Sequence, residues 1–237
     1  MIFEEQKLIF IHINKTAGSS IEIAFNQQQP DKQHQTLRCY AKDRETKEYF
    51  TFTFVRNPWD RMVSWYLWLH RQNFWYDGMP TFDGMTSIPE KGVNFGGHPS
   101  VQEKWYLALR NGFKPFLKKI KSTKDIKQYF DRGSNLSLDN YYKGRWVASQ
   151  REWIKNNSGK VNIDFIGRFE NLQNDFDELC DKLGKDRRPL MEAKKLNKRP
   201  HYSKFYDDES IEIIKRLYKD DIKHFDYKYE ETKLQSL

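Results

Sequence analysis

A short polar segment near the start of the chain combines a lysine, a glycine and several hydroxyl groups. Its residues are small and polar apart from the lysine: Asn14, Lys15, Thr16, Ala17, Gly18, Ser19 and Ser20. The lysine adds a full positive charge, the glycine lets the backbone approach an anion closely, and the hydroxyl groups are hydrogen-bond donors. This combination favours the binding of a phosphate group.

The residues on either side of this segment predict a strand before it and a helix after it. Residues 8–13 are almost continuously apolar, as expected for a strand that is buried on both faces of a parallel sheet. Ile21, Ala24 and Phe25 then resume an apolar pattern at helical spacing. Because a helix start offers unpaired N–H groups and a partial positive charge, this arrangement predicts a phosphate-binding loop.

The order of residues in this loop differs from that of a Walker A motif. In that motif the lysine follows the second glycine and is itself followed by Ser or Thr, whereas Lys15 precedes both Thr16 and Gly18. The signature of an ATPase or GTPase is therefore missing. Taken alone, the segment is also compatible with an ordinary strand–helix turn that carries a solvated lysine.

A second strand–loop–helix unit places an arginine where the first unit has its lysine. Residues 49–55 alternate aromatic side chains with threonine and predict a strand that leads into Arg56. Asn57 suits the N-cap of a helix over residues 58–74, which has proline at its first position. Because ligands of α/β sheets bind at the carboxyl ends of the strands, we expect Lys15 and Arg56 to bind two separate phosphates.

A third unit of the same kind follows later in the chain. Residues 162–169 are strand-like, with Arg168 near their end, and residues 170–183 predict a helix that ends at Gly184. Acidic residues at 207–209 then suit the positive end of a last helix.

Together the three units predict an α/β fold in which a P-loop-like central parallel sheet is flanked by helices. We expect a single domain over residues 1–237. Residues 76–145 are expected to form an elaborated insertion of helices and loops, because residues 76–98 are rich in Gly and Pro.

The charge and the cysteine content narrow the class of protein. The formal net charge is +8, which favours anionic partners such as a nucleotide, an acidic glycan, nucleic acid or a membrane surface, unless it serves solubility alone. Cys39 and Cys180 are the only cysteines, and two cysteines far apart in sequence do not indicate a disulfide framework or a metal site. With no apolar stretch of about 18 residues and no signal peptide, we expect a cytoplasmic protein without a membrane span.

Three stretches in order resemble the carbohydrate-type sulfotransferases, the group that includes heparan sulfate 2-O-sulfotransferase. They are HINKTAGSS (residues 12–20), FVRNPWDRMVS (54–64) and IGRFENLQNDF (166–176), and residues 202–227 also fit. Asn14 stands where these enzymes usually have proline, which removes a φ restraint from the loop. The chain looks like a soluble, bacterial-type member of the group.

The resemblance implies in-line transfer of a sulfuryl group from 3′-phosphoadenosine 5′-phosphosulfate (PAPS) to a hydroxyl of a carbohydrate-type acceptor. The product would be adenosine 3′,5′-bisphosphate (PAP), and no metal is implied. Lys15 and the backbone N–H groups of residues 16–20 would stabilise the leaving phosphate. Arg56 and Ser64 would bind the 3′-phosphate, since the planar guanidinium matches phosphate oxygens.

The resemblance also suggests roles for two later arginines. Arg168 would support binding of the donor or the acceptor, with a structural ion pair to Glu170 as an equal alternative. Arg199 lies where the family closes a loop over the nucleotide, with a solvated basic loop as an equal alternative. Residues 76–145 carry little of the resemblance, and we expect them on the acceptor side.

The acceptor hydroxyl needs a general base that titrates near neutral pH. His34 is the predicted base, because it follows the first unit, where enzymes of the 2-O-sulfotransferase type carry a histidine; an exposed loop histidine is the alternative. His12 is a rival, although a packed and hydrogen-bonded histidine is the simpler interpretation within a strand. Glu22 is a second rival, since other sulfotransferases use glutamate.

Two other classes of function stay open. A nucleotide or sugar kinase would need a Walker lysine and acidic residues for Mg²⁺, and neither is placed correctly. A non-catalytic basic module would account for the net charge of +8 but not for two phosphate-binding loops in order. The sulfotransferase interpretation accounts for the net charge and for the two phosphate-binding loops. It implies no nucleic-acid partner.

Overall fold

The computed structural model of the chain describes residues 1–25, 35–40, 48–73, 111–122, 148–191 and 199–230. His34 and the loop predicted over residues 76–98 lie outside these ranges, as does most of the insertion predicted over residues 76–145. The chain divides into two compact units that alternate along the sequence. The first comprises Met1–Pro58, Ser149–Pro200 and Asp220–Lys228, and the second comprises Trp59–Ala148, His201–Lys219 and Tyr229–Leu237. The single domain over residues 1–237 stays a prediction.

The first unit is built on one sheet, which has four strands in the part of the chain that the structure describes. In spatial order they are β1 (Ile2–Phe3), β2 (Leu8–Ile11), β3 (Phe50–Val55) and β4 (Phe165–Arg168). β1 is antiparallel to β2, whereas β2, β3 and β4 are parallel. The three predicted strands and the α/β fold are confirmed, and β1 is an addition to them.

The register of the sheet places aromatic side chains next to one another. Phe10 of β2 lies opposite Phe52 of β3, which lies opposite Phe165 of β4. The rings of Phe10 and Phe52 stack with their centroids 4.9 Å apart, and both residues are fully buried. The core of this unit is therefore aromatic, as the aromatic fraction of 16% in the sequence suggests.

The helices complete the two units. In chain order they are α1 (Gly18–Ala24), α2 (Leu37–Tyr40), α3 (Pro58–Asn73), α4 (Phe113–Ser122), α5 (Gln150–Trp153), α6 (Leu172–Lys182), α7 (Asp208–Leu217) and α8 (Lys219–Phe225). Short 3₁₀ helices span Glu4–Gln6, Phe169–Asn171 and Tyr202–Phe205. Within the described ranges, none of the helices has the length and apolar character needed to cross a membrane.

Local sequence signals explain where two of these helices begin and end. α6 ends next to Gly184, whose φ of 61° is the left-handed conformation expected after a helix. At the start of α7, the Asp207 side chain accepts from the Ser210 backbone N–H. The Ser210 side chain in turn accepts from the Asp207 backbone, which completes a capping box.

Aromatic side chains also hold the second unit together. Trp65 of α3 packs on Phe116 of α4, with ring centroids 5.3 Å apart. Trp59 Nε1–H donates to Ile211 O of α7 at 3.2 Å, and Tyr206 O–H donates to Trp59 O at 2.9 Å. Trp59 is buried and Tyr206 is half-buried, and the polar atom of each finds a backbone partner, which is the usual way in which Trp and Tyr are accommodated in a core.

Replacement of Phe52 by alanine is expected to lower the free energy of unfolding by about 3–5 kcal/mol, because it leaves a cavity in a close-packed core. The ring is fully buried and contacts Phe3, Phe10 and Phe25. Ile23→Ala is the control, since Ile23 is 42% exposed and a surface change is expected to stay within about 0.5 kcal/mol. Urea denaturation measures both variants. A loss below about 1 kcal/mol for Phe52→Ala would contradict the aromatic core.

Candidate functional site

The loop between β2 and α1 holds two non-glycine residues in the left-handed conformation. The φ angle is 68° at Lys15 and 73° at Ala17. This conformation costs roughly 1–2 kcal/mol per residue, so the surrounding structure has to impose it. Only two further non-glycine residues of the described ranges have positive φ, namely Lys7 and Asp226. Because strained residues cluster at ligand sites, the backbone here marks a candidate site.

Hydrogen bonds within the loop fix its shape. Thr16 Oγ1–H donates to Ile13 O at 2.9 Å, and Thr16 is fully buried. Ser20 N–H donates to Ala17 O at 2.9 Å in the first turn of α1. Ser20 is buried, while Ser19 is half-buried. The Thr16 hydroxyl therefore supports the fold of the loop, in addition to any part that the Thr16 backbone has in anion binding.

A buried histidine and a buried glutamate contact each other beneath this loop. His12 Nδ1 lies 2.7 Å from Glu22 Oε1, and both side chains are less than a tenth exposed. The His12 ring also stacks on Phe10, with ring centroids 5.3 Å apart. The two rivals for the general base are thus partners of each other, and His12 is packed as expected, although β2 ends one residue before it.

Gly18 lies directly against the His12 ring. A Cβ atom on residue 18 would come 1.8 Å from His12 Nε2, which is far inside any real contact distance. Glu22 contacts the opposite ring nitrogen, so the ring has little freedom to move away. Packing therefore requires glycine at this position, independently of any close approach of an anion.

Arg56 connects the end of β3 to the loop. Its Nη1–H donates to Lys15 O at 3.1 Å, and its Cζ lies 3.6 Å from the centroid of the Phe169 ring. Arg56 is 5% exposed, while Lys15 is half-buried. The structure thus brings the predicted arginine within hydrogen-bond distance of the backbone of the predicted lysine.

Gln150 contacts the backbone of Arg56 and was not among the predicted site residues. Arg56 N–H donates to Gln150 Oε1 at 2.8 Å, and Gln150 Nε2–H donates to Arg56 O at 2.7 Å. Residues 146–153 show no clear helical or strand periodicity in the sequence. A contact between residues 94 positions apart therefore left no signal that sequence analysis could use.

Glu170 binds the backbone just before α3. Asn57 N–H donates to Glu170 Oε1 at 2.6 Å, and Tyr227 O–H donates to Glu170 Oε2 at 3.2 Å. The residue as a whole is exposed, and each oxygen of its carboxylate accepts one of these hydrogen bonds. Desolvation raises the pKa of Glu170, against the opposing effects of the two hydrogen bonds and of the charge on Arg56. Burial likewise raises the pKa of Tyr227, with the neighbouring Glu170 as a further cause.

The other predicted donor-binding residues lie in both units. Arg168 Nη2–H donates to Phe225 O at 2.6 Å, and Arg168 Cζ lies 4.9 Å from the centroid of the Tyr227 ring. Arg199 belongs to the first unit and is half-buried. Ser64 is buried on α3, in the part of that helix that belongs to the second unit.

The arrangement in the first unit is suited to anion binding. Lys15, Arg56 and Arg168 follow or end the parallel strands β2, β3 and β4, whose carboxyl ends form one edge of the sheet. Guanidinium groups match phosphate and sulfate oxygens well. Within the described ranges, no three His, Cys, Asp or Glu side chains are grouped so that they would hold a metal ion. The metal-free reaction stays a prediction.

Comparison with known protein families gives a match that spans most of the chain. A model described as the sulfotransferase family matches residues 1–228 of the chain. A search of curated proteins gave no match. The family match therefore includes the loop, Arg56 and the end of β4.

Gly18→Ala is expected to destabilise the protein by about 1–3 kcal/mol, because the added methyl group collides with the His12 ring. Helix propensity alone predicts the opposite sign, since alanine is favoured over glycine by about 1 kcal/mol. In a His12→Ala background the same substitution is expected to cost less, because the ring is gone. Urea denaturation of the four proteins measures this coupling. Equal effects of Gly18→Ala in both backgrounds would contradict the packing argument.

Proposed function

Because the chain belongs to the sulfotransferase family, we propose that it transfers a sulfuryl group from PAPS to a hydroxyl group of a carbohydrate acceptor. Family membership supports sulfuryl transfer, and the cationic edge of the sheet supports a donor that carries more than one anionic group. When bound, PAPS supplies a sulfuryl group that is activated by its bond to the 5′-phosphate.

One contact supports this proposal most directly. Arg56 Nη1–H donates to Lys15 O at 3.1 Å. Residues of the two segments that resemble phosphate-binding motifs therefore meet within the first unit, beyond the ends of the neighbouring parallel strands β2 and β3. Two such segments suit a nucleotide that has phosphate groups at both the 5′ and the 3′ position.

Lys15 is proposed to stabilise the leaving group. As the bond to the sulfuryl group breaks, negative charge grows on the 5′-phosphate, and a nearby ammonium group attracts this charge. The backbone of residues 16–19 is proposed to add N–H donors. The N–H of Ser20, which was predicted with them, donates to Ala17 O instead. Loss of one such stabilising group typically lowers the rate by about 10²–10³.

Arg56 is proposed to bind the 3′-phosphate. A guanidinium has five N–H donors in a planar fork, so a bond to a carbonyl oxygen and a bond to a phosphate are compatible uses of the same group. The contributions of Ser64, Arg168 and Arg199 to donor binding stay predictions that rest on the resemblance.

His34 stays the proposed general base for the acceptor hydroxyl. The contacts of the two rivals support this choice. Glu22 lies against one ring nitrogen of His12, and Gly18 lies against the other. A base has to reach the acceptor, whereas this buried pair is packed between β2 and α1.

We further propose that the protein is a bacterial-type, cytoplasmic enzyme that acts without a metal ion and without a nucleic-acid partner. The net charge of +8 supports anionic substrates in general. The carbohydrate class of the acceptor rests on the resemblance of residues 12–20, 54–64 and 166–176.

PAP is expected to raise the melting temperature of the wild-type protein by roughly 5–10 °C at 100 times its Kd, since that ligand excess adds about 2.7 kcal/mol of stability. Lys15→Met is expected to reduce this shift, because it removes the charge while keeping most of the side-chain length. Lys160→Met is the matched control, since Lys160 is exposed and lies outside the proposed site. Thermal melts with PAP and with ATP·Mg²⁺ measure these shifts.

Two outcomes of these melts, and one of a separate DNA-binding titration, would contradict the proposal. An absence of any shift with PAP would exclude a PAPS-type donor. A shift with ATP·Mg²⁺ alone would indicate a kinase. Strongly salt-dependent DNA binding without a response to PAP would indicate a basic binding module.

A further inference from the structure

The side chain of Gln150 pairs with the backbone of Arg56 as a neighbouring strand would. Arg56 N–H donates to Gln150 Oε1 at 2.8 Å, and Gln150 Nε2–H donates to Arg56 O at 2.7 Å. Arg56 follows the last residue of β3, so its backbone lies just beyond the end of that strand. Only a side-chain amide offers a neutral donor and a neutral acceptor in this geometry. Gln150 is fully buried.

Asp221 holds Gln150 in place. Its Oδ2 accepts from Gln150 N–H at 2.7 Å, and its Oδ1 accepts from Arg151 N–H at 2.8 Å and from Ser149 Oγ–H at 2.6 Å. Asp221 is fully buried, and a buried carboxylate needs hydrogen-bond donors such as these three. The carboxylate therefore fixes the first turn of α5, which carries Gln150.

Arg56 extends this set of contacts to the loop. Its guanidinium donates to Lys15 O at 3.1 Å and is stacked on Phe169. A continuous series of contacts thus runs from Asp221 through Gln150 and Arg56 to Lys15. All of its members belong to the first unit.

We propose that Gln150, held by Asp221, is a positioning residue that sets the Arg56 guanidinium for the 3′-phosphate of the donor nucleotide. This inference rests on the proposed function, since it takes Arg56 as the ligand of that phosphate. Gln150 contacts the Arg56 backbone and acts through it. Misplacement of a binding group by about 1 Å can cost about 10²-fold in rate, so the placement of the Arg56 backbone matters for the side chain.

The test compares two nucleotides that differ only in the 3′-phosphate, PAP and adenosine 5′-monophosphate (AMP). The ratio of their dissociation constants, Kd(AMP)/Kd(PAP), measures what the 3′-phosphate contributes, and isothermal titration calorimetry gives both values. In Gln150→Met this ratio is expected to fall about tenfold, the equivalent of one hydrogen bond. In an Arg56→Ala background, Gln150→Met is expected to leave the ratio unchanged, because the residue acts through Arg56.

Gln173→Met is the matched control for this substitution. The Gln173 amide also bonds the backbone at two points, donating to Arg188 O at 3.0 Å and accepting from Leu190 N–H at 2.8 Å. It is exposed and pairs with a different segment. The nucleotide ratio is expected to stay at the wild-type value in this variant.

The outcomes separate this inference from the proposed function. If the wild-type protein binds no PAP, the proposed function fails, and the role of Gln150 fails with it. If the wild type prefers PAP over AMP, an equal loss of both ligands in Gln150→Met would assign a purely structural role to Gln150. Affinities for PAP and AMP that both stay at the wild-type values in Gln150→Met would overturn the inference as well. If Gln150→Met does not fold, Asp221→Asn carries the same test, because it keeps the volume and one oxygen acceptor.

Discussion

The hydrogen bond from the Arg56 guanidinium to the carbonyl of Lys15 joins two segments that are 41 residues apart. Much of the site depends on this contact. A guanidinium that is 5% exposed has lost most of its water and requires other partners, which the carbonyl and the face of Phe169 provide. As a result, the positive charge of Arg56 is fixed beside the loop between β2 and α1, whose backbone is suited to an anion.

The loop of the candidate site has a conformation that is maintained at a cost in stability. Lys15 and Ala17 occupy a conformation that isolated residues disfavour. The structure beneath them also contains a buried His12–Glu22 pair, which is more expensive to bury than an apolar core. Glycine is the only residue type that fits at position 18, against the His12 ring. These features constrain the loop from below, while Arg56 constrains it from the side, and together they leave it little freedom to relax.

Local patterns were sufficient for the three parallel strands and for the helices that follow them, and the site residues named from the same patterns stay predictions. The apolar run before the loop, the Asn57 signal before α3 and Gly184 after α6 are properties of adjacent residues, and each predicted an element that the structure contains. β1 was not predicted, because a strand of two residues is too short to show an alternating pattern of apolar and polar side chains. The role of Asp221 was hidden for a different reason: an acid in the first turn of a helix looks like a partner of its own helix. Its contacts to Gln150 and Arg151 span about 70 residues of sequence, which no local pattern records.

The two arginines at the edge of the sheet show that sequence reasoning can single out a residue and still miss its contacts with distant segments. Arg56 lies beyond β3 and was predicted as a ligand of the donor, whereas Arg168 ends β4 and was predicted to support the donor or the acceptor or to form a structural ion pair. Each also donates to a backbone carbonyl of a distant segment and stacks on an aromatic ring, Phe169 for one and Tyr227 for the other. A planar group with five donors allows both uses, and the stacking restricts its orientation. Lysine would supply the positive charge but not a planar group that stacks on an aromatic ring. These contacts therefore favour arginine at positions 56 and 168 even before a ligand is considered.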